Sequence, residues 1–380
     1  MDMVVKYIKE LEEEIYKNFE DIVNINSFSQ NIEGLEKVAS KLQSIALDNG
    51  IKLDKIYSPK KERPHLMFNK ELEKDFYATI GHFDTVHSPE SGFLKISEKD
   101  GYYYGPGTND MKSGIIVALY SLIILYKLYP GKKLPIKLLF NSDEEIGSYD
   151  SWDIMVKEFC QAKGGFIFEP GRMDGYSIVT ARKGGISIDI DIEGKAAHAG
   201  VEPQKGINAI TAAAEIILKL NKLNDYQNGI TLGCNVINGG IVKNTVAPFC
   251  KIGVDIRYVK KEQYQQIMKD FEKVLFEPNS VGAKVSYTIE HQRPPFEKTP
   301  ASEELYKLYK QTADEIGMEC NETATGGGSD ANILSDCGVP CLDGLGAVGN
   351  FSHTKKEFTV KETIPKKIEL FVKFMEKLIE

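Results

Sequence analysis

The chain has 380 residues, more than one ordinary hydrophobic core organises, so two domains are expected. Hydrophobic residues make up 42% and charged residues 27%, the balance of a soluble globular protein. The net charge of −8 is spread along the chain, with no block of Lys or Arg and no basic-aromatic stripe, which argues against a nucleic-acid partner. The N-terminal stretch MDMVVKYIKELEEEIYKNFEDIV is acidic and amphipathic and lacks the apolar core of a signal peptide. Residues 34–49 have apolar positions at helical spacing. DFYATIGHFD, LPIKLLFNS and GGFIFEP read as short buried strands. Between the first two lies SGIIVALYSLIILYKLY, residues 113–129, short of the roughly 20 residues a bilayer needs. A buried helix is predicted there, and no membrane partner. Strand-helix-strand alternation points to an α/β layer with a largely parallel sheet.

The pattern changes near residue 184. ISIDIDI, Ile186 to Ile192, alternates strictly, so one face is apolar and the other polar. A helix, two strands, a second helix and the strand KVSYTIEHQ follow, the β-α-β-β-α-β order of a ferredoxin-like unit. After it, a helix near 302–316, a glycine-rich loop, GVPCLDGLG and a helix from Thr363 resume the α/β style. The expected architecture is a discontinuous α/β domain, 1–183 and 293–380, with a mixed, largely parallel sheet and flanking helices. An α+β ferredoxin-like domain, 184–292, is inserted into it. The six cysteines, Cys160, Cys234, Cys250, Cys320, Cys337 and Cys341, form no CxxC pair. With no export signal, reduced thiols in the cytoplasm are expected.

In open α/β sheets ligands bind at the carboxyl ends of the strands. Here those ends are polar. The first predicted strand runs out into His82 and Asp84, and Asp110 lies in GPGTND just before the apolar helix. LLFNSDEEIGS ends at Asp143, Glu144 and Glu145, GGFIFEP at Glu169, and NFSHTKKEF adds His353. Imidazoles and carboxylates at separate strand ends suit zinc. An excess of carboxylates suggests two ions sharing a bridging group and a water. One glutamate would then stay off the metals as a base. Each residue also has a plain structural reading. Ser142-x-x-Glu145 is a capping box, a single His is usually structural, and an acidic triplet is usually a solvated turn. Mutual compatibility at five strand ends favours the metal. His87 reads as a loop residue at the pocket rim. GLGAVG, Gly344 to Gly349, matches GxGxxG, but no apolar helix follows and too little chain remains for a dinucleotide fold.

GHFDTVH, GPGTNDMKSG, NSDEEIGS, FEP, GKAAHAG, VKNTVAP, VDIRYV, TGGGSDAN and NFSHTKKEF occur in the order found in the zinc-dependent aminoacylase/carboxypeptidase family of co-catalytic di-zinc metallopeptidases. From about residue 70 onward the chain resembles that family, and within it the bacterial glutamate carboxypeptidases. The resemblance implies two zinc ions per subunit, and cobalt or manganese could substitute, since carboxylate and imidazole ligands discriminate weakly. His82 and Glu169 would hold one, Glu145 and His353 the other, and Asp110 and a water would bridge them. Glu144 would be the general base and Asp84 would orient His82. A cis peptide is implied after Asp110. The inserted domain would serve as lid and dimerisation domain of a homodimer, with His198 reaching the partner's site to stabilise the oxyanion. Asn244, Arg257, Arg293, Gly327 and Gly328 would line the substrate site. Glu169, where aminopeptidases of the family have Asp, implies release of a C-terminal amino acid from a small peptide or N-acyl amino acid. A di- or tripeptidase or an N-acyl-amino-acid deacylase is the alternative. Arg182 and Lys183 stand where glutamate-specific relatives have small polar residues.

Overall fold

A computed structural model describes residues 2–58, 63–174 and 176–379. The chain forms two compact units: Met1–Ala181 with Lys298–Thr325 and Ser329–Glu380, and Arg182–Glu297 with Gly326–Gly328.

The first unit is built on a six-stranded sheet. Its order is Asp54–Tyr57, Pro64–Phe68, Ile136–Asn141, Tyr77–His82, Gly164–Ile167 and Cys341–Leu342. The first two pairings are antiparallel and the other three parallel. A strand covered on both faces is apolar throughout rather than alternating. Ile136–Asn141 is buried at every position, and Tyr77–His82 at all but its first. Ser113–Leu128 is helical, and every residue from Ser113 to Leu125 is buried. A helix that is apolar all round belongs inside a core. Counting the irregular turn before it, Thr108–Leu128 is long and apolar enough for a bilayer, yet 83% of its apolar window is buried in the protein's own interior. Gly114 sets the start of this helix against the end of a strand. A Cβ there would lie 1.9 Å from the Phe168 carbonyl oxygen, so no larger residue fits.

GLGAVG runs alongside that strand end and opens no helix. The Gly346 N–H donates to the Glu169 carbonyl at 2.9 Å, and a Cβ at Gly346 would sit 2.5 Å from the Phe168 oxygen. The glycines allow close backbone packing next to Glu169.

A small antiparallel sheet, in the order Gly349–Asn350, Phe358–Val360, Tyr102–Tyr104, Ser97–Lys99, joins two distant parts of the chain. Its strands are two or three residues long, too short for a hydrophobic period to show.

The second unit is a four-stranded antiparallel sheet in the order Thr231–Gly239, Phe249–Tyr258, Gly184–Glu193, Lys284–Arg293, with helices Ala209–Leu220 and Gln263–Phe276. The alternation in ISIDIDI is realised directly. Ile186, Ile188, Ile190 and Ile192 join the core with Ala212, Ala213, Ile216 and Phe271. Asn208 starts the first helix, its side chain accepting from the Ile210 and Thr211 N–H groups.

The expectation of six free thiols is corrected at one pair. Cys160 and Cys337 are joined in a disulfide, their Cα atoms 5.4 Å apart across a sequence separation of 177. Each ends a short helix, Trp152–Phe159 and Ala331–Asp336, and packing of those helices places the thiols together. Cys234, Cys250, Cys320 and Cys341 are free.

Candidate metal centre

His82 is the last residue of its strand and is 1% exposed. Its Nε2 lies 3.1 Å from Asp110 Oδ1 and 3.6 Å from Glu169 Oε1. Its Nδ1 faces Asp84, 3.1 Å from the main-chain oxygen and 3.3 Å from Oδ1. Both atoms are acceptors, so with a metal bound the ring proton would stay on Nδ1 and Nε2 would be left to face an ion held with Asp110 and Glu169. Asp84 does more than orient this ring. Its oxygens also accept the N–H groups of Glu144 at 3.2 Å and Glu145 at 3.3 Å, and the Ser29 hydroxyl at 2.7 Å. One buried carboxylate therefore fixes the end of one strand to the turn after the next.

Asp110 lies in the turn before the apolar helix, and the Asp110–Met111 peptide is cis. Its two oxygens serve two clusters. Oδ1 faces His82, and Oδ2 lies 3.4 Å from His353 Nε2. That same nitrogen is 3.1 Å from Glu145 Oε2. Candidate ligand atoms of His82, Asp110 and Glu169 lie within 4.8 Å of one another, and so do those of Asp110, Glu145 and His353.

The electrostatics of the cluster favour a cation. Burial pushes His82 down, but hydrogen bonds to Asp110 and Asp84 outweigh it and hold the imidazole well above its usual range. Burial raises Asp110, yet the two histidines bring it far below the ordinary carboxylate value. Burial, then the Asp110 charge, pushes Glu145 up to about 8. Hydrogen bonds to Asp110 and Glu145 push His353 up to about 11. Glu145 Oε1 is buried with no hydrogen-bond donor among the described residues. A buried carboxylate oxygen without a donor is costly unless a cation faces it. This donor set, imidazole nitrogen and carboxylate oxygen, fits zinc, manganese or cobalt.

A pH dependence follows. Groups with raised pKa values carry protons in the metal-free protein, and a metal must displace them. Affinity is therefore expected to rise with pH through about 8, where Glu145 loses its proton. Titration calorimetry of metal into the chelated protein, in buffers of different ionisation enthalpy, measures the protons released. Metal binding without proton release at pH 7 contradicts this account.

Two structural readings of these residues fail. Glu145 does not close a capping box, since the turn Glu144–Ile146 has no side-chain cap. Asp143 is not in a solvated turn. It is buried and accepts the Asp150 N–H at 2.7 Å and the Ser151 hydroxyl at 2.6 Å. His87 is not at a rim. It is 6% exposed, its Nε2 is 2.9 Å from Glu357 Oε2, and its ring packs edge-on against Phe93.

The remaining predicted site residues lie in the second unit. His198 is exposed, and its Nδ1 accepts the Gly200 N–H at 3.2 Å. That bond places the proton of a neutral ring on Nε2 and makes Nε2 a donor. Asn244 is exposed, and its carbonyl accepts the Ala199 N–H at 2.9 Å. Arg257 is bound by Asp255, with Nε–Oδ1 at 2.9 Å and Nη2–Oδ2 at 2.8 Å. Arg293 is buried beside Gly328, where a Cβ would come within 2.9 Å of its Cδ. Arg182 is also buried, and donates to the carbonyls of Gly327 and Gly328 at 3.2 and 3.3 Å. Lys183 donates to the Gly229 carbonyl at 2.8 Å. Both cations are used to hold loops.

Residues 78–377 match the family model described as Peptidase family M20/M25/M40. The chain belongs to this family. The M20 chain is similar to carboxypeptidase G2 of Pseudomonas sp. (strain RS-16), with 28% identity over 76% of this chain and 70% of the relative. It is similar to succinyl-diaminopimelate desuccinylase of Sulfurimonas denitrificans, with 26% identity over 80% of this chain and 85% of the relative. In fold it matches a tripeptidase from Staphylococcus aureus with a TM-score of 0.79, covering 97% of this chain and 98% of that one at 24% identity. As an M20 peptidase it is a metal-dependent enzyme that hydrolyses amide bonds.

Proposed function

We propose that the protein uses two zinc ions to hydrolyse an amide bond and release a C-terminal amino acid, in the manner of a glutamate carboxypeptidase. The observation that carries this reading is the division of Asp110 between two clusters, each with one histidine and one glutamate. His82 and Glu169 would hold one ion, Glu145 and His353 the other, with Asp110 between them. When bound, such a pair lowers the pKa of a water and polarises the scissile carbonyl.

Glu144 is the glutamate of the turn that neither cluster includes. It takes the proton of the attacking water and passes it to the leaving nitrogen. Its placement depends on Asp84, which accepts its backbone N–H and that of Glu145. His198 of the partner subunit donates from Nε2 to the developing oxyanion. The Gly200 N–H on Nδ1 prepares it as a donor. Asn244, Arg257, Arg293 and the Gly327–Gly328 backbone contact the substrate, and at Arg257 a substrate carboxylate competes with Asp255. The dimer forms through the inserted unit. Its edge strand Thr231–Gly239 exposes Val236 (64%) and Ile237 (55%), and beyond it Ile241 (70%) and Val242 (56%) are exposed.

The glutamate at position 169, where aminopeptidases of the family have Asp, and the likeness to carboxypeptidase G2 support carboxyl-terminal release. The likeness to a desuccinylase keeps N-acyl substrates within the same test. The zinc-loaded protein is given N-acyl amino acids, acyl-glutamates and dipeptides, and released amino acids are read by mass spectrometry beside a chelated control. Release of free glutamate or aspartate from blocked substrates supports the reading. Release only from unblocked di- or tripeptides refutes it in favour of a peptidase.

The trans role of His198 has its own test. His198→Ala and Glu144→Ala proteins are each expected to be nearly inactive. Mixing them under conditions that exchange subunits is expected to restore turnover, because one site in the hybrid then has both groups. No recovery in a proven hybrid places His198 in its own subunit's site.

A further inference from the structure

The turn that carries Asp110 is irregular, and the N–H groups of Gly107, Asn109 and Asp110 turn to a side chain rather than to main-chain carbonyls. Asp110 (φ −115, ψ 96) and Met111 (φ −130, ψ 41) are both non-helical. Buried N–H groups need a partner, and here one side chain provides it. Glu357 Oε1 accepts from the Asn109 N–H and the Asp110 N–H, each at 2.9 Å. Glu357 Oε2 accepts from the Gly107 N–H at 3.0 Å and meets His87 Nε2 at 2.9 Å. The Glu357 side chain is 1% exposed and that of His87 7%. Phe93 packs edge-on against the His87 ring at 5.0 Å, and Asn26 Nδ2 donates to the His87 carbonyl at 2.8 Å.

We propose that His87 and Glu357 are positioning residues that hold the Asp110 turn in the shape needed to divide its two oxygens between the clusters. This rests on the metal reading of Asp110 and deepens it. Four donors converge on one side chain, and only an acceptor-only group satisfies them all. The His87 proton therefore sits on Nε2. Glu357 is four residues after His353, so the segment that brings a candidate ligand to Asp110 also grips the turn from behind. Two further bonds fasten the same strip: Asn109 Nδ2 to Ser352 Oγ at 2.8 Å and Thr359 Oγ1 to the Thr108 carbonyl at 2.6 Å. Neither His87 nor Glu357 belongs to a candidate ligand cluster. They act through Asp110.

The test compares Glu357→Gln, His87→Leu and His87→Gln with the unaltered protein. In Glu357→Gln an amide NH₂ replaces one oxygen and meets at least one backbone N–H. In His87→Leu the ring donor is lost with little change in apolar packing. In His87→Gln the side-chain amide reaches the former Nε2 position and restores a donor. The readouts are the affinity for added zinc after chelation, by calorimetry, and the visible spectrum of the cobalt-substituted protein. Thermal melting of the metal-free forms monitors folding.

Glu357→Gln and His87→Leu are expected to lose about 10–100-fold in metal affinity, the usual cost of losing a group behind a ligand, and to change the cobalt spectrum. His87→Gln is expected to stay within a few-fold of the unaltered protein in both readouts. Unaltered affinity and spectrum in Glu357→Gln overturn the proposal. So does an equal loss in His87→Gln and His87→Leu, which indicates ring packing rather than the hydrogen bond. If His87→Leu does not fold, Glu357→Gln decides alone. Glu145→Ala is the control for the underlying reading. If it binds as much metal as the unaltered protein, the metal assignment fails, and the proposal with it. If only Glu145→Ala loses metal, the assignment stands and the positioning role is refuted.

Discussion

Replacing Glu144 by Ala leaves the metal content unchanged and lowers kcat about 10²–10⁴-fold, the range a positioned acid-base group contributes. The expectation rests on the division of labour within one turn. Glu145 is buried and faces His353 Nε2 at 3.1 Å, whereas Glu144 is outside both ligand clusters. Its backbone is tied to Asp84, so truncating the side chain leaves the turn in place. KM should change little, since the missing group acts on the proton in transit and not on substrate binding. Metal analysis and steady-state kinetics on one preparation settle it. Near-normal kcat removes Glu144 from the role, and loss of metal makes it a ligand.

Replacing Asp110 by Asn is expected to be at least as severe, with a different signature. An amide keeps the volume but converts one oxygen into a donor, so only one cluster retains its shared acceptor. Metal content should fall toward one ion or none, and turnover by about 10³-fold or more. Several kcal/mol of charge stabilisation are lost, at a factor of ten per about 1.4 kcal/mol. The fold should survive, because the N–H groups of the turn are satisfied by Glu357 and not by the Asp110 side chain. Full metal content with near-normal turnover in this variant is incompatible with a bridging Asp110.

How much of this was legible in the sequence depended on the range of each interaction. Tyr77–His82, Ile136–Asn141 and the helix Ser113–Leu128 were readable because burial on both sides leaves a continuous apolar run. The four inward-facing isoleucines from Ile186 to Ile192 were readable because one covered sheet face enforces a period of two. The candidate ligands stood out as polar groups where such runs end. The family resemblance singled out Asp110 as the shared residue, and its two oxygens, one toward each histidine, give that choice its physical content.

Other features had no local signature. Cys160 and Cys337 are brought together by the packing of two helices 177 residues apart, so spacing rules were blind to them. Glu357 is one charged residue in a lysine-rich stretch, ordinary until its carboxylate is seen gathering three backbone N–H groups and His87. Nothing local to Arg182 and Lys183 showed what they bind, and loop carbonyls occupy them.

By itself the sequence determined the element types, the α/β and ferredoxin-like pattern, and the set of polar residues at strand ends. These follow from periodicity and chain chemistry, which act between neighbours. Only the tertiary structure decided which acidic residue of the Asp143–Glu145 triplet is a buried structural group and which faces a histidine. It alone showed that Asp84 ties two strand ends together and that His87 and Glu357 stand behind Asp110. Hydrogen bonds and cation sites need groups within a few ångströms, and only the folded chain brings residues hundreds of positions apart to that distance.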